Sequence, residues 1–360
     1  MSWFWILVLT RDWLPPQLRV RAAEKLGELK NPGSVTALLQ ARHEKAEHVA
    51  EAAVAALKAL GPAAVQPLVS RLTHANPQER ANAAEALGWL GKDARPAVSA
   101  LMKSLTDSQI GVRVRAAESL GAIGPSAVDA VPILIEWLKD REARLVEAAA
   151  KGLGGIGPLA KDALPVLVDQ ITRADKAARE VVAESLGKIG SLSRIFVPKL
   201  VSHLTHVDAD VRETIAHAIG GIGPDAKGAV VPLATQLGDV DRAVRNACAK
   251  ALGQIGSNAT AAVPALIELF NDKDWGVRES TCRALGLIGP ASSPAVPGLM
   301  RQLQDDRGSV RLAAIEALTA IGTPATVALP TIKTLHSSDK YATIRAAAEL
   351  AIAKLQANSE

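Results

Sequence analysis

VRESTCRALGLIGP (277–290) is the stretch from which the fold can be read. With Arg278 as position zero, Val277, Thr281, Leu285 and Ile288 fall at −1, +3, +7 and +10, the spacing of one buried stripe along an α-helix. Gly289-Pro290 then stops the helix, because glycine takes a left-handed conformation and proline cannot continue the hydrogen-bond ladder. The phrase recurs as VRAAEKLG (20–27), RANAAEALGWLG (80–91), VRAAESLGAIGP (114–125) and VAESLGKIG (182–190). Later copies are VRETIAHAIGGIGP (211–224), VRNACAKALGQIG (244–256) and VRLAAIEALTAIG (310–322). Position zero is Arg19, Arg80, Arg113, Arg179, Arg212, Arg245, Arg278, Arg311 or Arg345, with Ala50 and Val146 in the two remaining slots. From 80 to 311 each step is 33 residues. A proline 13 to 15 residues earlier (Pro67, Pro132, Pro165, Pro198, Pro232, Pro264, Pro297, Pro330) marks a first helix in most units, since a helix's first turn tolerates the missing N–H. A hairpin of this size cannot bury both faces alone, so the units must stack into a solenoid.

Composition agrees with this reading. The 360 residues are 48% apolar and 22% charged, with a mean hydropathy of +0.14 and a formal charge of +4, which excludes a disordered chain. Only ten residues are aromatic, so the core must be Ala, Leu, Ile and Val, as close helix packing requires. Two cysteines, Cys248 and Cys282, exclude a disulfide scaffold and fit a reducing compartment; the cytoplasm is the expected location. No uninterrupted apolar run approaches the ~18–20 residues of a membrane span.

These phrases resemble the HEAT repeat, and more narrowly the HEAT-like repeats of phycobilisome (bilin) lyases, in which an acidic residue and Val-Arg precede an Ala-rich stretch closing on Leu-Gly-x-Ile-Gly-Pro. The resemblance covers about residues 5–355. It implies an all-α, right-handed α-solenoid in which an Asp/Arg ladder links neighbouring repeats and the second helices line the concave surface. The expected organisation is one solenoid over 1–360, with irregular units at 1–62, regular repeats at 63–322 and a capping unit at 323–360.

The repeated charges suit that ladder. An aspartate recurs six residues before position zero at Asp107, Asp140, Asp239, Asp272, Asp305 and Asp339, while Asp175 and Asp208 sit four before. An acid can cap a helix start, and a guanidinium can fork onto carboxylate or backbone oxygen. Arg113, Arg179, Arg212, Arg245, Arg278 and Arg311 are therefore expected to be structural. Setting the nine position-zero arginines aside leaves 32 basic residues against 37 acidic ones, so the basic isoelectric point is mostly scaffold. Positions +1 and +5 should face a partner. There Glu118, Glu147, Glu180, Glu184, Glu213, Glu279 and Glu316, with Glu24, Glu51 and Glu85, outnumber Lys151, Lys250, Arg283 and His217. An acid-leaning inner face argues against nucleic-acid phosphates and for a basic or polar protein segment.

No other constellation rises to a chemistry. His203 and His206 lack a third ligand at metal spacing, and His206 occupies a ladder-aspartate slot. HEAT-repeat iron hydroxylases use several His-Glu dipeptides; here there is His43-Glu44 alone. Neither cysteine has a histidine partner, and no phosphate-binding loop or nucleophile elbow occurs. No catalytic residue, metal or cofactor is assigned. WFWILVL (3–9) is too short to span a membrane and reads as a shortened first helix, whose Trp3, Phe4 and Trp5 cap the solenoid or join a second copy. The leading expectation is a non-enzymatic protein-binding scaffold. The alternatives are a bilin-lyase-like protein handling a tetrapyrrole and its apoprotein, and a HEAT-like nucleic-acid binder.

Overall fold

The computed structural model describes residues 2–42 and 46–357, which contain helices and turns and no strand. His43-Glu44 lies outside the described residues. Internal contacts divide the chain into two compact units, Met1–Val166 and Leu167–Glu360. The first holds α1 (Ser2–Leu9), α2 (Pro16–Leu29), α3 (Val35–Ala41), α4 (Glu47–Leu60), α5 (Val65–Arg71), α6 (Pro77–Trp89), α7 (Val98–Ser104), α8 (Ile110–Ile123), α9 (Val131–Trp137) and α10 (Ala143–Ile156). The boundary falls within α11 (Leu164–Arg173), inside the stretch that the period marks as regular. The second unit continues with α12 (Lys176–Ile189), α13 (Val197–Ser202), α14 (Ala209–Ile222), α15 (Val230–Gln236) and α16 (Arg242–Ile255). It ends with α17 (Val263–Glu268), α18 (Trp275–Ile288), α19 (Val296–Gln302), α20 (Gly308–Ile321), α21 (Leu329–Ser338) and α22 (Ala342–Ala357). Odd-numbered helices are the short first members of each hairpin and even-numbered helices the long second members.

The stripe read from 277–290 is buried as expected: Val277, Thr281, Leu285 and Ile288 are all 0–2% exposed. Even helices pack on one another through small residues. A Cβ on Gly253 would stand 2.9 Å from Ala284 Cα, and one on Gly286 would stand 3.0 Å from Ala317 Cα. That closeness is why the core needs few aromatics. The helix stops are firmer than a left-handed cap. Gly223 and Gly289 have φ of +74° and +82° but ψ of −143° and −145°, a region close to the one that only glycine enters freely. A 3₁₀ turn follows each and delivers the chain to the next odd helix, whose early proline (Pro264 in α17, Pro297 in α19) sits in its first turn.

One expectation needs amending. The helical run Glu47–Arg71 is long and apolar enough, by composition, to cross a membrane. It is α4 and α5 in series, broken at Gly61, where φ is +53°, and the two helices bury separate faces (Val49, Ala53, Leu57; Val65, Leu68).

An Asp/Arg ladder is present, and its rungs link one repeat to the next at Arg80, Arg212, Arg245, Arg278 and Arg311. Arg212 Nε and Nη2 donate to Asp239 Oδ2 and Oδ1 at 2.7 and 2.9 Å. The same fork joins Arg245 to Asp272, Arg278 to Asp305, Arg311 to Asp339 and, in the first unit, Arg80 to Asp107. Nη1 of each of these arginines turns back to a carbonyl of its own hairpin, as Arg212 does to His206 O at 2.7 Å. The ladder aspartates are not helix caps: each accepts the N–H two residues on, such as Asp241 N to Asp239 Oδ1 at 2.8 Å. The caps come from the acid four residues before position zero, Asp175, Asp208, Asp241 and Asp274.

Two expected rungs do not form. Asp140 is exposed, and Arg113 donates to Asp107 O at 2.9 Å without an ion pair to Asp140 among the described residues. The α8–α10 joint is closed by glycine instead, since a Cβ on Gly121 would stand 2.8 Å from Gly152 Cα. Arg179 lacks its carboxylate because the slot on the next hairpin holds His206.

Candidate functional site

The joint with the missing rung at Arg179 also carries a hollow on the even-helix face of the second unit. In regular joints the glycine at +8 meets a residue 31 positions later, as Gly220 meets Ala251 and Gly253 meets Ala284. Gly187 instead meets Gly221, 34 positions later, at 3.0 Å from its would-be Cβ to Gly221 Cα. The residue of α14 that Gly187 meets has thus moved one turn toward the C-terminus of α14. Around that contact, and reaching back to Glu180 and Glu213, lies a cavity of about 640 Å³ lined by Glu180, Ala183, Glu184, Gly187 and Lys188 of α12, Glu213, Thr214, His217 and Gly221 of α14, and Gln254 of α16. Lys176 Nζ reaches Asp210 Oδ1 across its mouth at 3.2 Å.

Four sequence-predicted residues, Glu180, Glu184, Glu213 and His217, converge here. Glu184 is paired with Lys188 at 2.7 Å, and Glu213 lies 3.8 Å from His217 Nε2. Glu180 has no ion pair among the described residues. Burial pulls His217 below the ordinary histidine value despite the opposing attraction of Glu213, so near neutral pH the ring adds no positive charge. Three carboxylates therefore face one lysine, and the cavity is net negative. Thr214 closes the floor, its hydroxyl donating to Asp210 O at 2.8 Å.

The other residues of that face do not join the cavity, and most are neutralised by neighbours. Glu118 accepts from Arg115 at 2.9 Å and Lys151 at 3.3 Å. Arg283 bridges Glu279 and Glu316 at 3.0 and 3.1 Å, beside a smaller hollow of about 260 Å³ lined partly by Leu287 and Ala320. Glu147 is half-buried on α10, and Lys250 is exposed on α16 outside the cavity lining. Of the second unit's acids at these positions, only Glu180 and Glu213, both in the cavity, have no Lys or Arg ion pair among the described residues. Sequence reasoning missed Lys188, Thr214, Gln254 and the Gly187–Gly221 contact. The available signal was histidine in an aspartate slot next to an extra small residue at position 221.

The remaining candidates are structural or unconnected to the cavity. Cys248 and Cys282 are fully buried, and desolvation pushes the Cys248 thiol up to about 12 and Cys282 higher still. No three His, Cys, Asp or Glu side chains among the described residues could hold a metal. Trp3 and Phe4 are exposed and form an edge-to-face chain with Trp5. In the first unit Arg42 stacks on Trp89 at 4.7 Å and pairs with Glu85 at 2.5 Å, leaving Trp89 half-buried.

The family model for HEAT repeats matches residues 5–88, 65–154, 131–195, 197–279 and 263–353. The chain belongs to the HEAT-repeat family. Its helical hairpins match those of yeast importin-β, Kap95p, with a TM-score of 0.69 at 15% identity, covering 100% of this chain and 57% of that one. Importin-β crystallised in ammonium sulfate gives 0.63 at 17%, covering 99% and 57%. The karyopherin Kap121p, bound to the extreme C-terminus of the protein phosphatase Cdc14p, gives 0.55 at 12%, covering 99% and 46%. This HEAT-repeat chain spans about half the length of those importins, and the likeness is one of fold. No curated protein matches it in sequence.

Proposed function

We propose that this protein is a non-enzymatic scaffold that binds a basic protein segment on the even-helix face of the Leu167–Glu360 unit, with a lysine or arginine side chain of the partner entering the α12–α14 cavity. The observation that carries this reading is the net-negative cavity itself. Its small-residue floor leaves room for an aliphatic stem, while Glu180, Glu184 and Glu213 offer acceptors to a cationic head. The HEAT-repeat fold supports it, because a stacked array presents an extended surface, and a karyopherin of the same fold has been crystallised on a protein C-terminus.

The test is fluorescence anisotropy with a labelled hexapeptide of lysine and arginine against the full chain. Glu180→Gln, Glu184→Gln and Glu213→Gln together should weaken binding about tenfold, if each exposed pairing contributes ~0.5 kcal/mol. Glu147→Gln, outside the cavity, should leave it unchanged. Equal affinity for the triple variant and the wild type would sink the reading. A visible absorption band on mixing with a bilin would redirect it to tetrapyrrole handling, although a bilin's propionates would be repelled by the three glutamates.

A further inference from the structure

The joint that carries the cavity also carries a substitution in the ladder, and that substitution has its own chemistry. A rung aspartate does two things: one oxygen also accepts the turn N–H two residues on, and both oxygens accept the preceding arginine's fork. His206 does only the first. Its Nδ1 accepts the Asp208 N–H at 3.1 Å, so the remaining ring proton lies on Nε2, which then offers a donor to donors. Arg179 is left 8% exposed, with buried Nε and Nη1 atoms that have no hydrogen-bond partner. Only Nη2 is satisfied, by Ala174 O at 3.1 Å, and the nearest carboxylate oxygen, Asp208 Oδ2, stands 3.9 Å from Nη1.

The first unit repeats the pattern. His74 fills the corresponding slot and accepts Asn76 N–H through Nδ1 at 3.1 Å, and position zero of the preceding repeat is Ala50. There too the even-helix face carries a hollow, of about 420 Å³, lined by Ala50, Glu51, Val54, Ala55 and Lys58 of α4. Histidine in the slot thus accompanies a hollow on the preceding even helix twice, in separate units.

We infer that His206 is a positioning residue that keeps the α12–α14 joint open by denying Arg179 its fork, and that the cavity exists because this rung is missing. Replacing the imidazole with a carboxylate gives Arg179 its fork and draws the N-terminal half of α14 onto α12, closing the cavity. The inference rests on the binding reading only for its affinity arm.

The experiment places nitroxide labels at Ala177→Cys and Thr205→Cys, both exposed positions, in the full chain; the buried native thiols leave the introduced ones as the sites of reaction. His206→Asp should shorten the interlabel distance and raise Tm, and adding Arg179→Met should reverse both changes. Arg179→Met alone should leave the distance unchanged. An unaltered distance in His206→Asp, or closure that persists in the double variant, overturns the inference. In the same proteins, hexapeptide affinity should fall about tenfold in His206→Asp, by the loss of the same cavity contacts. Closure with undiminished affinity would leave the joint inference standing and remove the cavity as the binding site.

Discussion

The α14–α22 array and the α12–α14 joint are built from the same repeat, yet they solve the packing problem differently. In the array each arginine at position zero is forked by an aspartate on the next hairpin, and the +8 glycines bring the even helices together in their C-terminal halves, 31 residues apart. At the joint the arginine is just as buried but has no fork, only Asp208 at 3.9 Å, and Gly187 meets α14 one turn later, glycine on glycine. A solenoid's stability is roughly a sum of repeat and nearest-neighbour terms, so one weak joint can be tolerated without unravelling the rest. The difference teaches that irregularity in a repeat array is local, and that local irregularity is where a cavity can form.

The comparison can be broken most severely in the array. Asp239→Asn should cost about 3 kcal/mol in urea unfolding, because Arg212 would lose its ionic partner at a site where both side chains are about nine-tenths buried. A loss under about 1 kcal/mol would mean the ladder is decoration. At the joint, Gly187→Ala should cost about 1–3 kcal/mol, since its Cβ would stand 3.0 Å from Gly221 Cα and O, and backbone cannot yield as a side chain can. Gly221→Ala should be milder, its Cβ lying 3.3 Å from Gly187 Cα.

The sharpest contrast is one of sign. Arg212→Met should destabilise, whereas Arg179→Met should stabilise by about 1 kcal/mol, by removing a buried charge whose hydrogen bonds are mostly unmade. A loss of stability in both would show that the two arginines are equivalent after all.

A smaller effect follows from pH. Burial pushes Asp239 upward, but the fork from Arg212, the Asp241 N–H and the nearby guanidinium charges outweigh it, and its pKa is lowered. A depressed folded-state pKa gives stability that is present above the unfolded value of ~3.9 and is lost as pH falls through the folded one. The gap in Tm between wild type and Asp239→Asn should therefore be constant above about pH 5 and narrow below about pH 4.

Much of this was legible in the sequence because the period is so regular. The stripe Val277–Thr281–Leu285–Ile288, the glycine stops and the arginine positions each depend on local spacing, and local spacing repeats. The acidic face was legible as composition but not as charge. Arg115–Glu118 and Arg283–Glu279 are pairs within one helix, but Lys151 reaches Glu118 and Arg283 reaches Glu316 only because adjacent repeats bring residues 33 apart into reach. The failed Arg113–Asp140 rung was invisible for the same reason: both residues stand in register, and Asp140 turns to solvent.

The sequence by itself determined the element type, the length and the stops of each hairpin, and which residue could occupy each ladder slot. Helix periodicity and glycine's access to positive φ are properties of a few neighbouring residues. Tertiary structure alone decided which acids remain unpaired, where two helices slip by one turn, and that His206 leaves Arg179 stranded beside the cavity. Those outcomes depend on distances between residues on different hairpins, and no one-dimensional pattern specifies such distances.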